Sequence, residues 1–230
     1  PVTQQRIRVW FTKGERVKYI SHLDVLRFWE RAIRRADLPL SYSQGFTPHP
    51  KLAFASPLPM GFVAEREVMD VTLDERVPIE QFACRLRSEA TADLSVVDVM
   101  EVALSAPPPQ AAMLWADYRV ELPGVAEGAA RKAVDDFLRL ESLPWREERG
   151  ERIREYDLRQ ATAHAGVQSC GAGCELRLRM RADQELTARP EAVVACLFPG
   201  VAAGTIARTG IILDERSQAR ELWRRFGQYQ

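Results

Sequence analysis

The strongest constraint on how this chain folds is a change of apolar period that runs twice in the same order, once on each side of "SAPPPQAA" (105–112). "RIRVWF" (6–11) alternates, with Ile7, Val9 and Phe11 on one face and Arg6, Arg8 and Trp10 on the other, which predicts a strand with one buried face. "SHLDVLRFWERAIRRAD" (21–37) then takes helical period. Leu23, Leu26, Trp29 or Glu30, Ile33 and Ala36 form its apolar stripe, and Arg27, Arg31, Arg34 and Arg35 lie off it. Ser21 stands where an N-cap belongs, with Asp24 three residues on as its capping-box partner. Strands over "KLAFA" (51–55) and "EVMDVTL" (67–73), a helix "PIEQFACRLRSEA" (78–90) and a strand "LSVVDVMEV" (94–102) complete the order β-α-β-β-α-β.

After the proline stretch the order recurs. "DYRVEL" (117–122) reads as a strand, "AEGAARKAVDDFLRLES" (126–142) as a helix and "REYDLRQA" (154–161) as a strand. "CELRLRMRA" (174–182), "RPEAVVACLF" (189–198) and "GTIARTGIIL" (204–213) come next as strand, helix and strand. The fold class expected is therefore α+β, two tandem ferredoxin-like (βαββαβ) units. The boundaries expected are 1–105, a Pro-rich linker 106–116, a second unit 117–215 and a tail 216–230. The charged loop "PWREERGER" (144–152) is placed outside both units.

Both helices of such a unit cover one side of the sheet and leave the other open. On the first strand the open side would carry Arg6, Arg8 and Trp10; on "CELRLRMR" it would carry Arg177, Arg179 and Arg181. Arginines and rings on an open sheet suit single-stranded RNA, where guanidinium groups meet phosphates and rings stack on bases. Plain solvated strand faces are the alternative. Lys plus Arg equals Asp plus Glu at 32 each, but residues 1–51 carry ten Lys/Arg against four Asp/Glu, and residues 52–106 the reverse, four against ten. Such a basic lobe can orient an anionic partner.

The block from Lys13 to Asp70 is similar to an uncharacterised bacterial family, the radical-SAM-linked (radical-SAM-associated) proteins. Lys13-Gly14, Ser21-His22-Leu23-Asp24, Arg34-Arg35, Gln44-Gly45-Phe46, Pro48-His49-Pro50-Lys51, Gly61, Glu67 and Asp70 carry the resemblance. It covers the second half loosely, through "YDLR" (156–159), "RPEAVV" (189–194) and "ARTGI" (207–211). The resemblance implies a partner that is a radical SAM enzyme, encoded beside or fused ahead of such proteins, and an RNA-related setting. A more distant, fold-level likeness is to the CRISPR repeat-processing endoribonucleases. A radical SAM centre holds its cluster in a Cys-x3-Cys-x2-Cys loop; here Cys170 and Cys174 supply only the first spacing and position 177 is Arg, so the chain is not itself the radical enzyme. No cofactor and no metal are expected, with a shared site through Cys170 and Cys174 kept as an alternative.

"GFTPHPK" (45–51) is richer than a turn requires. In one reading Gly45 lets a backbone approach closely, Pro48 and Pro50 hold His49, Phe46 or His49 stacks on a base, and Lys51 takes a phosphate. In another, His22 and His49 act as base and acid on a ribose 2′-hydroxyl, giving metal-independent strand cleavage. In a third the prolines only stiffen a crossing, and His49 hydrogen-bonds Asp24 or Glu67. His22, in the first turn of the first helix, together with Tyr19, His49 and Lys51, could converge on one phosphate. A metal held by His22, His49, Asp24 and Glu67 has no supporting ligand spacing.

The function expected is an RNA-binding accessory protein acting with a radical SAM enzyme. Its contacts would come from Arg27, Arg31, Arg34, Arg35, Gly45, Phe46, His49 and Lys51, extended by Arg177, Arg179 and Arg181. The catalytic candidates of the nuclease alternative are His22, His49 and Tyr19. A protein–protein adaptor without RNA contact would instead use the acidic segment 65–101. No run of about 18 apolar residues occurs, so no membrane span is expected. Four scattered cysteines suit a reducing cytoplasm.

Overall fold

The computed structural model describes residues 4–149, 152–171 and 173–214. Among these the chain is mixed α+β, with five α-helices and ten strands. It divides into two compact units at Met113/Leu114, and Leu213 and Asp214 belong with the first.

In the first unit β1 (Gln5–Lys13) lies between β3 (Val63–Leu73) and β4 (Val96–Val102), antiparallel to both. The short β2 (Leu52–Phe54) pairs antiparallel with β3, giving the order β4-β1-β3-β2. Ile7, Val9 and Phe11 are buried as the alternation requires. They meet α1 (His22–Arg35) and α2 (Ile79–Glu89) in one core with Trp29, Ile33, Phe82 and Leu86. The Phe11 and Trp29 rings pack edge to face at 5.2 Å.

The capping box at Ser21 and Asp24 is present: Ser21 Oγ accepts from the Asp24 amide at 3.2 Å, and the Asp24 carboxylate accepts from the Ser21 amide at 3.3 Å. At the far end Asp37 takes a left-handed conformation (φ 52°), which lets the Leu38 amide reach the Ile33 carbonyl at 3.2 Å and stops the helix. The buried stripe of α1 is Val25, Trp29, Ala32 and Ile33, with Ala36 just beyond, so the expected stripe corrects by a shift in phase: Leu23 is exposed and Leu26 only half-buried. Trp29 fixes that phase, because the largest ring on the helix fills the space above Phe11.

The opposite face of β1 is not an open arginine platform. Arg8 is only 1% exposed and grips the 2%-exposed Asp70 through two hydrogen bonds, Nε to Oδ1 at 2.7 Å and Nη2 to Oδ2 at 3.1 Å. Arg8 and Asp70 stand directly opposite in the β1–β3 register, which makes the bidentate pair possible. Arg6 also approaches Asp70, at 3.3 Å, and donates to the Ala106 carbonyl at 2.7 Å. Trp10 carries Arg66 over its ring at 5.2 Å. Beyond β4 the proline stretch is not an extended spacer throughout: Pro109 opens the one-turn α3 (Pro109–Ala112), which runs straight into the next strand.

The second unit orders its strands β10-β5-β9-β8. β5 is Met113–Pro123, β8 Thr162–Cys170, β9 Gly173–Arg181 and β10 Ile206–Leu213. β5 and β8 each run antiparallel to β9. α4 (Glu127–Leu138) packs on β8 and β9, and α5 (Pro190–Leu197) on α4. Tyr118, Val120, Leu122, Leu176, Leu178 and Met180 are buried. Two expectations are corrected here. Residues 144–157 form a separate hairpin, β6 (Pro144–Arg149) with β7 (Arg152–Asp157), so "PWREERGER" is largely strand and 154–161 is not one strand of the main sheet. The sheet strand in that place is β8, "TAHAGVQSC", mostly small and polar residues, too weakly apolar to show a period. The tail 216–230 lies outside the described residues.

Candidate functional site

Two neighbouring features of the first unit carry chemistry: the loop containing Phe46, and a polar pocket under the first turn of α1. The loop is closed at its base. The Ser43 amide donates to the His49 carbonyl at 2.8 Å, the His49 amide to Ser43 Oγ at 2.9 Å, and the Lys51 amide to the Ser41 carbonyl at 2.8 Å. Gly45 sits at φ 138°, where a side chain would be strained. Between these ties Phe46 is 107% exposed, as far into solvent as a phenyl ring goes, and His49 is exposed as well. Tyr42, at the root, donates its hydroxyl to Glu30 on α1 at 3.2 Å. Burial, then the Glu30 charge, raises the Tyr42 phenol pKa, and Arg34 beside it acts the other way. The loop therefore emerges next to Arg34.

The helix arginines divide by partner. Arg35 is tied to Glu89 at 2.7 Å and Arg27 leans on Asp24 at 3.5 Å. Arg31 and Arg34 are exposed and form no ion pair with a described residue. In the second unit Arg177 and Arg179 point outward, with Arg181 partly so, but each is held by carboxylates: Arg177 by Glu175 at 3.0 Å, Arg179 by Asp117 at 2.8 and 2.9 Å, and Arg181 by Asp183 and Glu185. A guanidinium already paired offers a phosphate little net charge.

The pocket is lined by four polar side chains, Lys13, His22, Ser56 and Glu67, and by the apolar walls Phe11, Val25, Phe54 and Leu58. Its cavity volume is about 10 Å³. Lys13 and Glu67 are buried, at 3% and 5% exposed. A bulge between Phe11 and Lys13 aims Lys13 under α1, where its ammonium donates to the Lys18 carbonyl at 3.0 Å and the Ile20 carbonyl at 3.2 Å. Glu67 lies opposite Phe11, on the helix-covered side of β3. His22 packs edge-on against Phe54 at 5.0 Å.

His22 is thus in this pocket, whereas His49, Lys51 and Tyr19 are not among its lining residues. Phe54 and Lys51 are three residues apart on an extended segment, about 10 Å, and His49 is farther still. The first-turn amides of α1 do not form an open phosphate cradle, because the Asp24 carboxylate already caps that end, its pKa lowered first by the Ser21 hydroxyl. Periodicity alone did not single out Lys13 and Glu67 as pocket residues, yet a signal exists. Ile7-Val9-Phe11-Lys13 and Glu67-Met69-Val71-Leu73 are alternating apolar rows, each ending in a charge at the same edge of the sheet. Among the described residues no three His, Cys, Asp or Glu side chains gather to hold a metal. Cys170 pairs with Gly173 and Cys174 with Ser169, so the two thiols fall on opposite faces of the hairpin.

Comparison with curated proteins finds no match. Among solved structures, a crystal structure of an unknown protein from Galdieria sulphuraria is similar at 12% identity and a TM-score of 0.27, over 90% of this chain and 99% of that one. A family model matches residues 6–190, from β1 to the start of α5, and on that match the chain belongs to the uncharacterized proteins conserved in bacteria (DUF2344).

Proposed function

We propose that this protein is an RNA-binding accessory protein of the cytoplasm, made of two ferredoxin-like units and acting with a radical SAM enzyme on RNA or a ribosome-associated target. One observation carries the RNA part: a loop tied at its base holds Phe46 fully in solvent, its root Tyr42 lies near Arg34, and Arg31 is one turn away on the same helix. An exposed ring on a loop rooted near cations that have no ion pair among the described residues is the chemistry of a single-strand site, where bases stack and phosphates are neutralised. The strand orders β4-β1-β3-β2 and β10-β5-β9-β8 support the ferredoxin-like reading. The radical SAM partner rests on the resemblance of the Lys13–Asp70 block. The carboxylate partners of Arg177, Arg179 and Arg181 move the weight of the contact to the first unit.

The test is binding of short single-stranded RNA over a range of salt, with the RNA scored for cleavage in the same samples. Binding should fall with salt, and Arg31→Ala should reduce the log–log slope by about 0.7, the value of one neutralised phosphate on a single strand. Phe46→Ala should weaken binding on the order of tenfold to a hundredfold, from a lost stacking contact, without lowering the melting temperature. No binding at low salt would end the RNA reading and leave the adaptor. Cleaved RNA would favour the nuclease.

A further inference from the structure

Among the described residues two phenyl-type rings stand exposed, Tyr19 at 71% and Phe46 at 107%, and both stand by α1. The Phe46 loop is rooted at Glu30 through Tyr42, and Tyr19 lies two residues before the N-cap Ser21. The backbone on both sides of Tyr19 is pinned. The Gly61 amide donates to the Lys18 carbonyl at 2.8 Å, and the Lys13 ammonium donates to the Lys18 and Ile20 carbonyls at 3.0 and 3.2 Å. Gly61 takes φ 86° in that turn, and a Cβ there would sit 3.6 Å from Tyr19 Cε1, so the ring rests one edge against it. The Lys18 ammonium lies over the ring at 5.4 Å, backing one face and leaving the other to solvent. A ring held in this way loses little freedom when something stacks on it. Leu23 in the first turn of α1 and Met60 beside Gly61 are exposed too, and widen the apolar surface around it.

Between the two rings the solvent face of α1 is cationic. Leu23, Arg27, Arg31 and Arg34 follow one another at steps of four, four and three residues, which keeps them on one face, opposite the buried Val25, Trp29, Ala32 and Ile33. Glu30 falls on that face as well, but its carboxylate accepts from the Tyr42 hydroxyl at 3.2 Å. Arg31 and Arg34 form no ion pair with a described residue. Arg27 meets Asp24 at 3.5 Å as an exposed pair, which contributes little and yields to a phosphate. From Leu23 to Arg34 the row runs about 16 Å along the axis. A cation row with an open ring toward either end suits a flexible polyanion that carries its charge on the backbone and flat faces at its side. Single-stranded nucleic acid has both. A duplex hides the faces of its bases, and an acidic peptide brings charge without a face to stack.

We propose that Tyr19 is a second base-stacking platform, so that one RNA strand lies along α1 with its phosphates on Arg27, Arg31 and Arg34 and a base on each ring. The inference rests on the RNA reading above and adds to it the length of strand that the site takes. At about 3.4 Å per nucleotide the row corresponds to about five nucleotides, and to fewer when the strand is stretched. A strand of about two nucleotides reaches one ring only. Binding therefore gains a second stacking contact once the strand is long enough to touch both rings.

The experiment measures the affinity of the full chain for oligoadenylates of about two to about eight nucleotides, in the wild type and in Tyr19→Ala, Tyr19→Phe and Tyr19→Leu. The expected result is a step in affinity at about three to five nucleotides, on the order of tenfold to a hundredfold for the added stacked base. Tyr19→Ala should remove the step and leave the shortest strands bound as before, Tyr19→Phe should keep it, and Tyr19→Leu should lose most of it because an aliphatic chain offers no ring face. All three variants should melt with the wild type, since the side chain is mostly in solvent. No step, or a step that Tyr19→Ala leaves intact while Phe46→Ala still weakens binding, would overturn the proposal and leave the RNA reading standing. A Tyr19→Leu variant that binds every strand like the wild type would overturn it too, and would assign the Tyr19, Leu23 and Met60 surface to an apolar protein partner. Failure to bind any strand would overturn both readings, so the two failures are told apart.

Discussion

Replacing Asp70 by Asn should cost the first unit about 3–5 kcal/mol, the range for breaking a buried ion pair by removing one partner. Arg8 is buried, its guanidinium makes two hydrogen bonds to this carboxylate, and Arg6 comes to 3.3 Å from the same group. Asn keeps the shape and one acceptor but removes the only negative charge that these bonds reach, so a cation is left in a site that water does not enter. Arg6 is less affected, since the Ala106 carbonyl still accepts from it. Against a domain stability of about 5–15 kcal/mol the loss is about a fifth at least. With a urea slope of about 2 kcal/mol/M, the midpoint should fall by about 1.5–2.5 M. Urea unfolding followed by tryptophan fluorescence measures it, because Trp10 and Trp29 both lie in this unit. Arg8→Met with Asp70→Leu removes both charges together and should be far closer to wild type, since well-packed apolar replacements of a buried pair are often neutral. An Asp70→Asn midpoint within about 0.5 M of wild type would refute the reasoning: the pair would then be solvated and the face of β1 open after all.

Two further outcomes concern the second unit. Tyr156, opposite Trp145 in the β6–β7 hairpin, has its phenol pushed up to about 12, first by burial and then by the Glu147 charge. A raised folded value means that the neutral phenol stabilises the hairpin below the ordinary value near 10, and that this is lost as pH rises through about 12. Ultraviolet titration of tyrosinate should show one late-titrating residue, and Glu147→Gln should bring it earlier; a Tyr156 that ionises near 10 would contradict the placement. Gly173 lies where an added Cβ would run into the Leu122 carbonyl of the paired strand. Gly173→Ala should therefore destabilise by about 1–3 kcal/mol, as overpacking does, and a melting temperature equal to wild type would count against the tight β5–β9 pairing.

What could be read from the sequence divides along a physical line. β1, α1, β3, α2 and β4 were legible because each buries one face on a common core, and a one-sided burial prints its period on the sequence: Ile7-Val9-Phe11 alternate, and Trp29 and Ile33 fall at helical spacing. The β6–β7 hairpin was not legible, because little of either face is buried and its residues are mostly charged. β8 was missed for a related reason: Ala165 and Thr162 bury too little apolar surface to mark a strand. The arginines show the limit of periodicity most clearly. Alternation places Arg8 and Arg179 on the face away from the apolar side chains, and that much holds. Whether such a charge meets water, a phosphate or a carboxylate depends on what the register brings opposite it, and register is a long-range property. Asp70 is opposite Arg8 and Asp117 opposite Arg179, 62 residues away in each case. The same logic hid the pocket. Lys13 and Glu67 each looked like the polar end of a strand, and only the β1–β3 pairing brings those ends together beneath His22. A charge that interrupts an apolar row on two strands at once is therefore the better guide to a site than a run of charge on one face, because burial makes it expensive and pairing makes it specific.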